Sequence, residues 1–403
     1  MPVDIHPDDY EDAAMTIDYA GIYWAGSFPR DGHGPASEGS DAAAPSAAAL
    51  ADVVDWTGGD VVDLTGGELR PLQTDWARPI CDVITDALGL PALEPGRGGK
   101  YTDYLGRMLN GVRYRRRINA RIAAGHLPHL PYAEWARQDH ADYDDVQAAT
   151  GSTARFLVGI PSPLAMRMFS GVLWGHAEAF EERVATQIRE ILAEHPDTVI
   201  QFELPVEIGM ASFGRVVMPR PLLRRLVRRL LAPFERLIAA APAGARFSFH
   251  LCYGDLGHKP FVPKALQSPV VMVELINAIL GMDAWSARGT DGPRLFAIHD
   301  PWADGQNVLD QGSRLAGRAR AYRRVGAFGD PDTIYAAGGL GANLSVDDVE
   351  EFARLVGSLF EGKAGRIALA TPCGNGRSPI DDVRQTYRHG HQALRKLRDA
   401  GSR

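Results

Sequence analysis

The sequence predicts an α/β protein, a (β/α)8 TIM barrel with a helical insertion after strand 2. Three observations carry this. Eight short apolar runs rich in branched residues recur, at 21–28, 60–66, 155–160, 198–204, 246–253, 294–299, 333–338 and 366–371. Most are separated by stretches with apolar residues at helical spacing, and strands alternating with helices read as a parallel sheet. Eight such units favour a closed barrel over an open sheet. The chain has 403 residues, 45% hydrophobic and 23% charged, ample material for one large core. It reads as a single barrel domain over 1–403, with 72–151 as a helical insertion near the barrel mouth.

In order along the chain, the first run ends Ala25-Gly-Ser-Phe-Pro-Arg30 and gives way to a loose Gly/Ser/Ala-rich loop over 31–49. The second ends Asp63-Leu-Thr-Gly-Gly-Glu68. The stretch 72–151 is too long for one crossover. It holds helical patterns and a basic cluster, Arg113-Tyr-Arg-Arg-Arg117, that fits a surface or subunit contact better than an anion grip. The third and fourth runs end Gly159-Ile-Pro-Ser-Pro163 and Gln201-Phe-Glu203-Leu-Pro205. Residues 221–241 have helical periodicity, with Arg224, Arg225, Arg228 and Arg229 on a solvated face. The fifth run ends His250-Leu-Cys252, and 270–280 reads as the helix after it. The sixth ends Ile298-His299-Asp300 and the seventh Ala336-Ala-Gly-Gly-Leu340. Ser345 is placed to cap a helix running to Phe360. The eighth run closes Ala370-Thr-Pro-Cys373, followed by Gly-Asn-Gly-Arg377.

Composition excludes several classes of function. The net charge of −7 gives no pull toward nucleic acid or an anionic membrane. No run approaches the ~20 apolar residues of a membrane span. The N-terminus lacks the basic start and apolar stretch of a signal peptide. Three cysteines, an odd and small number, argue against a disulfide framework and for a reducing cytoplasm.

Two of those cysteines sit at strand ends, and one belongs to a His-x-Cys pair. Histidine and cysteine thiolate are the ligands zinc prefers. Side chains from distant strands of a parallel barrel meet at its C-terminal rim. A zinc site on that rim is one reading. Two buried cysteines beside a hydrogen-bonded core histidine is the other, and spacing alone leaves both open. The same rim would carry the Glu68 and Glu203 carboxylates, with Gly26 and Ser27 offering amides and a hydroxyl. Arg30 and Arg377 are candidate clamps for a carboxylate or phosphate. Cys81 reads as core, His126 and His129 show no spacing for a second metal, and His389 and His391 read as surface.

Taken in order, Gly26-Ser-Phe-Pro-Arg30, Gly67-Glu68, Pro161-Ser-Pro163, Gln201-x-Glu-x-Pro205, His250-x-Cys252 and Cys373-Gly-x-Gly-Arg377 resemble the catalytic barrel of cobalamin-independent methionine synthase. The resemblance runs over roughly residues 18 to 395 and is to the short, single-barrel relatives of that family. It implies that His250, Cys252 and Cys373 hold a zinc ion, that the zinc takes a substrate thiol, and that Glu68, Ser27 and Glu203 lie around the organic substrates. A free alkyl thiol, with a pKa near ~8.5, is mostly protonated at neutral pH. Zinc would deprotonate it and fix its position for attack on an electrophilic carbon.

The chain departs from that family in three places. Where the family places a metal-binding Glu at the end of strand six, this chain has His299 beside Asp300. His299 is therefore the expected further ligand, with Glu274 its rival by linear spacing. The family's Asp-Glu pair on strand four is here Glu203-Leu204. The family's strand-seven histidine, suited to protonating a folate leaving group, has no counterpart in Ile334-Tyr-Ala-Ala-Gly-Gly-Leu340. The expected function is zinc-dependent transfer of an alkyl group, methyl foremost, to a small-molecule thiol, with Glu68 and Glu203 as catalytic carboxylates. The alternatives are a non-catalytic zinc-binding barrel, a zinc thiol transferase acting on an epoxide or other activated carbon, and a metal-free barrel similar to uroporphyrinogen decarboxylase.

Overall fold

The computed structural model describes residues 18–24, 46–66, 78–91, 100–254, 260, 262–285, 292–302, 313–374 and 378–401. Eight strands are present: β1 (Asp18–Tyr23), β2 (Asp63–Gly66), β3 (Arg155–Pro161), β4 (Val199–Glu203), β5 (Arg246–His250), β6 (Arg294–Pro301), β7 (Ile334–Gly338) and β8 (Arg366–Ala370). All neighbours pair in parallel, in the order β1-β8-β7-β6-β5-β4-β3-β2, with helices between successive strands. This is the (β/α)8 barrel that the alternation of strand and helix predicts. One boundary moves: the first strand starts at Asp18 and ends at Tyr23, earlier than the 21–28 run.

The pairing between β1 and β2 is sparse among the described residues. Among the described residues one bridge, Ile22 to Val61, joins β1 to the chain entering β2. Backbone bonds from Ile22 N to Asp60 O (2.7 Å) and from Val62 N to Ile22 O (2.8 Å) support it. Side chains supply the rest. Trp24 N donates to Asp63 Oδ1 at 3.0 Å and Thr65 Oγ1 donates to Trp24 O at 2.8 Å. Gly21 makes the approach possible. Its φ is +137°, and a Cβ there would stand 2.2 Å from the Asp60 carbonyl oxygen.

Asp63 is fully buried, and burial pushes its carboxyl up to about 8, against hydrogen bonds from Trp24 and Thr65 that pull it down. The sign of the consequence follows from linkage. A carboxyl raised in the folded state adds stability that is whole below its ordinary pKa of 3.8 and is lost as pH rises through about 8. Asp63→Asn keeps an acceptor for Trp24 and removes the titration. Thermal melts from pH 5 to pH 9 should show wild type losing a few kcal/mol relative to this variant. Parallel pH profiles would contradict the assignment.

Inside the barrel the strands alternate inward and outward residues. Tyr23, Leu157, Val199, Ala297, Ile334, Ala336, Ala368 and Ala370 form one apolar interior cluster. The alanines of β6, β7 and β8 leave room for bulkier groups from other strands. Tyr23 fills part of it, donating its hydroxyl proton to Gln201 Oε1, with Ser248 Oγ 2.7 Å away. The outer faces pack against the helices. There Phe202, Phe247 and Phe249 meet Phe234 of the helix Arg220–Ala239 and the Trp285 ring.

Between β2 and β3 lie the helices Arg78–Ala87, Lys100–Arg113, Arg115–Ala123 and Tyr132–Thr150. The last packs on β2, β3 and the helices Ser46–Trp56 and Ala177–Glu194, in the place of an ordinary outer barrel helix. Arg78–Ala87 and Lys100–Arg113 instead pack on Pro163–Phe169, the helix that leaves the C-terminal end of β3. Cys81 is buried on the first of these helices, as its apolar spacing predicts. The helix Val346–Phe360 opens with a capping box between Ser345 and Asp348. Among the described residues no helix is long and apolar enough to cross a membrane.

Candidate metal centre

Strand register brings the site together. Glu203 on β4 lies opposite His250 on β5, and His250 lies opposite His299 on β6. All three stand near the C-terminal ends of their strands and are buried. The Leu251 amide donates to the His299 carbonyl at 2.8 Å, extending the β5–β6 ladder and fixing the chain that leads into Cys252. From the other side, β8 ends at Ala370 and delivers Cys373 three residues later. There Thr371 Oγ1 donates to the Cys373 carbonyl at 2.8 Å.

The ligand atoms of His250, Cys252 and Cys373 all lie within 4.8 Å of one another, the one such His/Cys/Asp/Glu group among the described residues. All three cysteines of the chain are free thiols. His250 Nε2 is 3.8 Å from Cys373 Sγ. Two such atoms bound to one tetrahedral zinc, at ~2.0–2.1 Å and ~2.3 Å, would be ~3.6 Å apart. That pair therefore needs little movement to close on an ion.

The electrostatics agree with that fit. Burial, helped by nearby His299, holds the His250 imidazole well below its ordinary pKa, so it is neutral and keeps a lone pair. Its Nδ1 is buried with no partner among the described residues, and its Nε2 has only the long contact to sulfur. A buried imidazole without a firm hydrogen bond calls for another partner. The Cys252 thiol is pushed well above its ordinary pKa by its hydrogen bond to Cys373, then by burial and by the Glu203 carboxylate. Without a cation Cys252 stays a thiol; a dication would offset the burial and release its proton. Two sulfurs and one nitrogen from two strand ends, those of β5 and β8, match the donor set of a catalytic zinc with an open position.

Glu203 reaches inward beside this group. Its Oε1 sits over β3, where a Cβ on Gly159 would be only 2.9 Å away. Gly159 thus makes the space that Glu203 occupies, a relation invisible in the linear sequence. Glu207, one turn into the next helix, is a further buried carboxyl, pushed up to about 7 by burial against a hydrogen bond from Ser162.

His299 is placed differently from the expectation that it completes the metal site. Its ligand atoms are not part of the converging group. Its ring stacks parallel on His250, centroids 4.5 Å apart and planes 7° from parallel, and the Tyr23 ring is also parallel to it at 5.7 Å. Its Nε2 is 2.8 Å from the Thr371 carbonyl oxygen and so carries the proton it donates. Glu274, the rival, is in the helix Pro269–Leu280 and is held by Arg220 Nε at 2.5 Å and Arg224 Nε at 2.8 Å. Asp300 points to the outer side of the sheet, where Tyr335 and Tyr322 donate to its Oδ2. Ser27, Arg30, Glu68 and Arg377 lie outside the described residues.

Two histidines read as surface are partly buried instead. His389 Nδ1 is 2.7 Å from the Leu344 carbonyl oxygen, and His391 Nδ1 is 2.8 Å from Asp60 Oδ2. Both tie the C-terminal helix to the barrel.

No family model matches this chain, and no curated protein matches it. Among solved structures it is similar to an engineered protein at 15% identity and a TM-score of 0.28, over 62% of this chain and 63% of the other. It is also similar to an endo-β-1,4-mannanase double mutant from Cellulomonas fimi at 14% identity and a TM-score of 0.28, over 62% of this chain and 65% of that one. The chain thus spans less than two thirds of the length of either neighbour.

Proposed function

We propose that the protein is a zinc enzyme that transfers an alkyl group, methyl foremost, to a small-molecule thiol in a reducing cytoplasm. The observation that carries this reading is the convergence of His250, Cys252 and Cys373 at the C-terminal end of the barrel. That end is where barrel enzymes build their active sites. The ordered motifs similar to cobalamin-independent methionine synthase supply the reaction class. Zinc, when bound, would lower the pKa of a substrate thiol and hold its sulfur in place. The protein's own groups set the surroundings. Glu203, buried beside Cys252, is placed to hold a cationic group of the substrate. His250 stays neutral, and with two cysteinates the site has no net charge with a dication bound, which tolerates an incoming anionic sulfur.

Strand seven argues about the donor. Its inward positions near the mouth are Ala336 and Gly338, and its Tyr335 hydroxyl is spent on Asp300 outside the barrel. No acid on β7 reaches the mouth to protonate a leaving amine. Loss of general acid catalysis costs ~10²–10⁴-fold. Methyl transfer from methyl-tetrahydrofolate to homocysteine is therefore expected to be negligible, with detectable transfer only from a more activated donor or to another thiol. The test is methionine formation by zinc-loaded protein with monoglutamate and polyglutamate folates. Turnover of ~1 s⁻¹ or above would overturn the proposal about the donor. Zinc binding with no thiol-dependent change in the zinc X-ray edge, across a panel of thiols, would favour a non-catalytic zinc barrel.

A further inference from the structure

We infer that His299 is a positioning residue that fixes two ligands of the metal centre at once, without binding the ion. The inference rests on the reading of His250, Cys252 and Cys373 as a metal site.

The geometry has two arms. One is the ring packing: the His250 ring lies parallel to His299 at 4.5 Å, and the Tyr23 ring lies parallel to His299 at 5.7 Å. Tyr23 is itself held by Gln201 and Ser248. These parallel contacts set the plane of the His250 imidazole, and so the direction of its lone pair. The second arm is the hydrogen bond from His299 Nε2 to the Thr371 carbonyl. Thr371 also holds the Cys373 carbonyl through its hydroxyl. A residue on β6 therefore reaches across β7 to steady the segment that carries Cys373.

Gly338 makes the crossing possible. A Cβ at that position would stand 2.9 Å from His299 Nε2 and 3.0 Å from the Thr371 oxygen. The space over the end of β7 is used by the His299 bridge. This accounts for the glycine and for the lack of a larger polar residue there.

The two arms separate by substitution. His299→Phe keeps a stacked ring and loses the donor. His299→Gln keeps a donor amide near the place of Nε2 and loses the ring. His299→Ala loses both, and Gly338→Ala presses a methyl on the bridge while leaving His299 in place. Zinc affinity is measured by chelator competition on the full chain, and the coordination shell by zinc X-ray absorption. Melts of the metal-free proteins serve as a folding control. Loss of an outer partner of a metal ligand costs ~10–100-fold in affinity. Each of the Phe and Gln variants should fall within that range, with His299→Ala weaker than either and Gly338→Ala weakened as well. The sulfur and nitrogen shell should be unchanged in all of them. Unchanged affinity in both the Phe and Gln variants would overturn the inference, as would loss of a nitrogen neighbour, which would make His299 a ligand. Failure of the wild type to bind zinc would instead overturn the metal reading itself.

Discussion

Cys252→Ser is expected to weaken zinc binding by more than ~100-fold, beyond the ~10–100-fold that loss of an outer partner costs. Cys373→Ser should do the same. Each removes one of three protein ligands, and a serine hydroxyl at neutral pH is not a substitute for a thiolate. The structure adds an asymmetry. Cys252 is buried next to Glu203, so a cation is the natural partner for charge at that point. Cys373 is only partly buried and sits beyond β8 on a short anchored segment. Cys81→Ser is the control, because Cys81 is buried on a helix away from the group. Chelator competition on the three variants checks this. Full zinc retention in both Cys252→Ser and Cys373→Ser would mean that the metal is elsewhere.

Asp300→Ala is expected to cost about 3 kcal/mol of folding stability. Asp300 Oδ2 accepts from Tyr335 Oη at 2.7 Å and from Tyr322. Trp302 Nε1 donates to the same Tyr335 oxygen at 2.7 Å. Arg318 lies over the Trp302 and Tyr322 rings and donates to the Pro301 carbonyl. Burial pushes the Asp300 carboxyl up, while Arg318 and the two tyrosines pull it down. Removing it leaves two buried tyrosine hydroxyls without their acceptor and takes a negative charge away from the Arg318 guanidinium. Asp300→Asn, which keeps an acceptor, should lose less. Urea unfolding of the metal-free proteins measures both. A loss under ~1 kcal/mol for Asp300→Ala would show that the network does not depend on its carboxylate.

The barrel was legible because its period is written in the chain. Strands buried on both faces read as apolar runs, and the helices between them carry amphipathic spacing and a true cap at Ser345. Cys252 and Cys373 were legible for a similar reason: each closes a strand, and strand ends converge in this fold. His299 shows where that logic stops. Strand position puts a side chain at the rim, but its direction depends on what lies across the barrel. Here that is the Gly338 gap and the Thr371 carbonyl, 72 residues from His299. Glu274 was a rival only by linear distance, and its arginine partners are on a different helix. The Asp63 seam likewise joins residues whose pairing depends on closure of the ring, which no local pattern records.

A metal centre of His250, Cys252 and Cys373 has a direct spectroscopic signature. Zinc K-edge absorption of the chain purified without chelator tests it most directly. The expected result is about one zinc per chain, with two sulfur neighbours at ~2.3 Å and one imidazole nitrogen at ~2.0–2.1 Å, and a remaining light-atom neighbour that a suitable thiol replaces. A chain that takes up no stoichiometric zinc, or one whose zinc has no sulfur neighbours, would contradict it.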